Sequence, residues 1–141
     1  MIQVQNRYLP TLIPFLEGMK LAGTASRARS KLLALVIDAY SALAISEREL
    51  VKEHAVLNEK GEPHIAEDGT FELKDPQLAD DYLTAREALI SEHAILTPAY
   101  AEHPAQLLEL LENYTVELSG DEAAVYDHLY DQILKAVDRE Q

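Results

Sequence analysis

TASRARSKLLALVIDAYSALAISERELVKEHAVL, residues Thr24 to Leu57, contains neither Gly nor Pro across 34 positions and comes directly after Gly23. Leu33, Val36, Tyr40, Leu43, Leu50 and Leu57 recur three and four apart once Glu47 and His54 are counted as polar members of the series. That period belongs to a helix whose seam faces another helix. At 1.5 Å per residue the stretch spans about 50 Å, long for a chain of this size. Leu32 to Ile37 (LLALVI) is apolar at six consecutive positions. A helix that is apolar on all sides is buried on all sides, so this half is expected to run through the middle of the domain. From Ser46 onward the sequence narrows to one apolar stripe, and this half is expected to project with one covered face.

Working outward, IQVQ (2–5) alternates apolar and polar residues like a short edge strand. RYLPTLIPFLEGMKLAG reads as one helix beginning near Tyr8 and closed by Gly23. Pro10 sits harmlessly in its first turn, while Pro14 lies inside and distorts it. Beyond the long helix, residues 58–76 carry Gly61, Pro63, Gly69 and Pro76. HIAE and TFEL flank Asp68-Gly69, a strong hairpin signal. A two-residue loop would put Ile65 on the face opposite Phe71 and Leu73, which favours a longer one. Asp75 as cap and Pro76 at the first position then open a further helix, with Leu78, Tyr82, Ala85 and Leu89 on one face. Because the connector is short, this helix folds back antiparallel along residues 43–57, with His54 toward Tyr82 and His93 nearer Leu43.

AILTP (94–98) and YTVEL (114–118) are strand candidates able to pair with 2–5. Between them PAQLLELLEN is a short helix, and Ser119 with Glu122 forms a capping box ahead of a last helix from Gly120 to Arg139. The fold class expected is mainly α with minor β: a helical bundle around one long central helix, with a projecting antiparallel helical hairpin. Residues 1–45 and 95–141 supply the body of this single domain, and 46–94 the hairpin, tipped by a β-hairpin at 62–74. A small antiparallel sheet completes it.

Composition narrows the function. The chain has 141 residues, no Cys and a net charge of −13. It therefore has no disulfide and no thiolate chemistry, and its acidic surface opposes direct nucleic-acid binding. No apolar run is long enough to span a membrane, and the first residues do not form a signal peptide, so a cytoplasmic protein is expected. The charge is unevenly placed. Residues 1–37 hold five bases and one acid, net +4, leaving −17 for the remainder.

The sharpest candidate site is Thr24, Ser26, Arg27, Arg29, Ser30 and Lys31 at the start of the long helix. Unpaired amides at a positive dipole end, with hydroxyls and guanidinium groups around them, suit a phosphate or carboxylate, hence a phosphorylated small molecule. The plainer reading is that these bases fix helix packing. Glu53-His54, Glu92-His93 and Glu102-His103 invite a metal, but neighbouring helical residues diverge and no H-x-x-x-H or H-E-x-x-H occurs, so neither metal nor cofactor is expected. Glu67, Asp68, Glu72, Asp75, Asp80, Asp81, Glu87 and Glu92 crowd the second half of the chain, as either a mimic of nucleic-acid phosphates or an ordinary solvated face. No nucleophile elbow and no selectable carboxylate pair is present, so catalysis is not expected. Seven Tyr offer interface material, most of it expected in seams.

NRYLPTLIPFL, LAGTASRARSKLL, a Glu-rich helix leading to NEKGEPHIAEDGTFELKD, and YDHLYDQIL together resemble a family of small proteins from phages and prophages of Gram-positive bacteria, domain-of-unknown-function family 1617. The resemblance covers nearly the whole chain, and ASRARSKL is its most specific part. It carries over no functional residues. It implies a phage setting, in which small acidic helical proteins serve as assembly factors, structural parts of the virion or inhibitors of host defence. The expectation is a non-enzymatic protein that binds itself or another phage or host protein.

Overall fold

In the computed structural model, which describes residues 1–140, the first element is a strand, Ile2–Gln5 (β1). Its alternation does what alternation should: Ile2 and Val4 are fully buried, while Gln3 and Gln5 are half-buried. It pairs antiparallel with His93–Leu96 (β2) in the register Ile2↔Leu96 to Gln5↔His93. A 3-10 turn at Asn6–Tyr8 leads into Leu9–Glu17 (α1), which carries Pro10 in its first turn and Pro14 inside. The long helix is continuous from Gly23 to His54 (α2), and after a 3-10 turn at Pro76–Leu78 comes Ala79–Ser91 (α3). His103–Glu112 (α4) and Gly120–Glu140 (α5) complete a mainly helical chain with one two-stranded sheet.

Two compact units result: Met1–Tyr40 together with the chain from His93 onward, and Ser41–Glu92. The helix α2 is common to both. In the first unit the core is the meeting of four apolar faces. Leu9, Leu12, Phe15 and Leu16 come from α1, and Ala28, Leu32 and Val36 from α2. Leu107, Leu110 and Leu111 come from α4, and Val125, Leu129, Ile133 and Ala136 from α5, each set spaced three or four apart.

Three expectations are corrected here. The helix read through to Gly23 ends at Glu17, where the Gly18 amide donates to the Pro14 carbonyl at 3.0 Å. The run Leu32–Ile37 is not buried on all sides. Leu32 and Val36 are, Leu33 and Leu35 are half-buried, and Ala34 and Ile37 face solvent, so α2 buries one stripe only. YTVEL is not a strand. The sheet has two strands, β1 paired with β2, and on the other side of β1 the Gln5 amide is bonded to α5. Tyr114 instead turns back on α4, its amide donating to the Leu111 carbonyl at 3.3 Å, and packs its ring edge-on to Phe15.

In the second unit His54 of α2 meets Tyr82 of α3, ring centroids 5.5 Å apart, and Phe71 lies edge-on to the same tyrosine at 5.1 Å. The Asp75 carboxylate accepts from the Gln77 amide, capping the turn that Pro76 begins. The hairpin expected over 62–74 is present as its turn. Gly69, at φ +84°, donates to the Ala66 carbonyl, and the Ala66 amide donates to Thr70, giving the longer loop that Ile65 required. Its flanks bridge elsewhere, Leu73 to Ala55 and Pro63 to Leu57.

Candidate functional site

The six residues proposed at the start of α2 go to different uses. The Arg29 guanidinium donates to the carbonyls of Leu16 at 3.0 Å and Met19 at 2.6 Å, closing the C-terminal end of α1. It also reaches the hydroxyls of Ser26 and Ser30, each at 3.4 Å. Arg27 lies on another side of the helix, its guanidinium 4.6 Å from the centre of the Tyr100 ring. Lys31 and Thr24 are exposed. A cavity of about 580 Å³ opens beside this helix start, and of the six only Thr24 lines it, with Lys20, Gln106, Glu109, Asn113 and Tyr114 among its other walls. Arg29 thus acts as an internal brace, the packing role that was the plainer reading for these bases.

Histidines are placed individually. His54 Nδ1 lies 3.0 Å from the Leu50 carbonyl, one turn back. His103 is fully buried. Its Nδ1 accepts from the Ala99 amide at 3.0 Å, so its proton is on Nε2, which donates to the Ala28 carbonyl at 2.9 Å. That bond ties α4 to α2, and the small side chain of Ala28 lets them approach. His128 accepts from the Gln5 amide through Nε2 and stacks on Tyr8. The acidic residues from Glu67 to Glu92 named above are all exposed. Some have local work: Asp68 accepts from both the amide and hydroxyl of Thr70, bonds that hold its carboxyl below the ordinary aspartate range, and Glu87 accepts from Ser91.

The tyrosines separate into two kinds. Tyr8, Tyr82, Tyr100, Tyr114, Tyr126 and Tyr130 are half-buried, each against another ring. The Tyr126 hydroxyl donates to the Leu111 carbonyl at 2.5 Å, and burial, with Tyr130 and nearby carboxylates adding to it, pushes its ionisation up. Tyr40 alone has no ring partner among the described residues and is 40% exposed. It stands seven positions after Leu33 and three after Ile37, which is 42% exposed, so the three share one side of α2. The side facing the core is a different one, marked by Ala28, Leu32 and Val36. Sequence reading missed this surface because it assigned the whole run to the interior. The second stripe was visible as the excess of apolar residues over what one seam requires.

A family model for proteins of unknown function, DUF1617, matches residues 1–140. The chain belongs to that family. No curated protein and no solved structure matches it. Among the described residues no helix is long and apolar enough to cross a membrane.

Proposed function

We propose that this member of the family is a non-enzymatic phage accessory protein that works in the host cytoplasm by binding protein, including further copies of itself, through the Leu33–Ile37–Tyr40 side of α2. The observation carrying this reading is Tyr40. Six tyrosines are used in internal seams, and the seventh is held in solvent beside Ile37 on an unbroken helix. Aromatic and large aliphatic side chains on one helical face are the usual anchors of helix-to-helix docking. The acidic remainder of the chain keeps it soluble while such a face is open. Sedimentation velocity over a concentration series tests the reading. The wild-type chain is expected to self-associate, and Ile37→Glu combined with Tyr40→Glu to remain monomeric with an unchanged circular dichroism spectrum. A wild-type monomer at every concentration would remove self-association.

The second reading is a phosphorylated small molecule held at the start of α2, favoured by Lys20 and Thr24 on the cavity wall there. Against it, Glu109 lines the same cavity. Calorimetric titration with nucleotides decides: heat that Lys20→Ala abolishes would support it, and silence from the wild type would end it.

A further inference from the structure

β1 makes one bond that its sheet does not require. Gln5 lies opposite His93 of β2, yet its amide points the other way and donates to His128 Nε2 of α5 at 3.1 Å, across 123 residues of sequence. The imidazole lies nearly flat on Tyr8, centroids 4.2 Å apart and planes 22° from parallel. A ring nitrogen that accepts carries no proton, so this contact exists only in the neutral ring with its proton on Nδ1. Protonation turns the acceptor into a donor facing another donor. We propose that His128 is a proton-operated latch: neutral, it fastens the Gln5 end of β1 to α5, and in mild acid it lets that end go.

The surroundings favour release over a charged closed state. His93 on β2 and Lys135 on α5 both oppose a positive charge on His128, while Asp131 on α5 favours one, and the Tyr8 ring covers one face. Burial is the largest influence, and the net effect holds this imidazole below its ordinary value. The direction of the coupling follows. Between the folded-state value and the ordinary one of about 6.5, the unfolded chain binds more protons than the folded chain. The stabilisation is therefore complete above that ordinary value and is lost as pH falls below it. Ile2 and Val4 are fully buried, so the strand stays docked at its start. What is released is the Gln5 end of the strand, where it enters the Asn6–Tyr8 turn.

Amide exchange by NMR tests the latch, comparing the wild type with His128→Gln, whose side-chain carbonyl can accept but does not titrate. After correction for intrinsic rates, Gln5 exchange in the wild type is expected to accelerate about tenfold between about pH 7.5 and about pH 5, with no change in His128→Gln. Wild-type protection independent of pH, or the same acid loss in His128→Gln, overturns the proposal. If that variant does not fold, the wild type alone decides. The His128 ring proton and the Gln5 amide nitrogen must titrate with one midpoint below about 6.5, and separate midpoints overturn it.

Discussion

The unit containing both chain ends and the unit of residues 41–92 share one helix but are held together differently. Of the twenty-two buried apolar side chains among the described residues, prolines included, only Leu43, Ala55 and Pro63 belong to the second unit. The first unit closes four helices and two strands over a dense core. The second relies on half-buried rings, His54, Tyr82 and Phe71, and on turns tied by Asn58, Asp68 and Asp75. Since packing loss dominates the large mutational effects, stability of the whole chain should be set by the first unit, and local opening should be concentrated in the second.

The largest break expected is in the dense unit. Ile133, fully buried on α5, should cost about 2–5 kcal/mol when replaced by Ala, read from urea unfolding. His103→Ala follows, at about 2 kcal/mol by the same measurement, since it leaves the Ala28 carbonyl without its partner in the core and removes the acceptor of the Ala99 amide nearer the surface. Arg29→Ala should cost about 1 kcal/mol, a fall of about 2–4 °C in thermal midpoint. Arg29→Lys should recover only part of this, because one ammonium cannot reproduce a fork on the Leu16 and Met19 carbonyls. Tyr82→Ala sharpens the comparison from the other side. It should cost less than about 1 kcal/mol globally while amide exchange accelerates across 41–92 and stays unchanged in the first unit. An equal acceleration in both units would mean that they open as one.

Much of the fold could be read from local signals. The uninterrupted α2, the Pro76 start after Asp75, the pairing of 2–5 with the strand after α3, and the meeting of His54 with Tyr82 all follow from spacing and turn chemistry. What could not be read depends on distant partners. α1 ends at Glu17, and the carbonyls of Leu16 in its last turn and Met19 just beyond it take their donors from Arg29, thirteen and ten residues further on. YTVEL has strand propensity but joins neither strand of the sheet, and His128 is given its role by Gln5 at the opposite end of the chain. The candidate site was legible in part. Counting apolar positions located the rich segment of α2, but its division into a core stripe and an open stripe depends on which neighbours arrive, and these come from far along the sequence.

Disulfide trapping tests the open face most directly, because the chain has no Cys and any introduced thiol is the sole reporter. Ile37→Cys and Asp38→Cys differ by one position, hence by about 100° around α2. Under mild oxidation at micromolar concentration, the Ile37→Cys protein should form covalent dimers faster than the Asp38→Cys protein, and Tyr40→Glu added to Ile37→Cys should abolish the advantage. Equal trapping rates at the two positions would contradict the account.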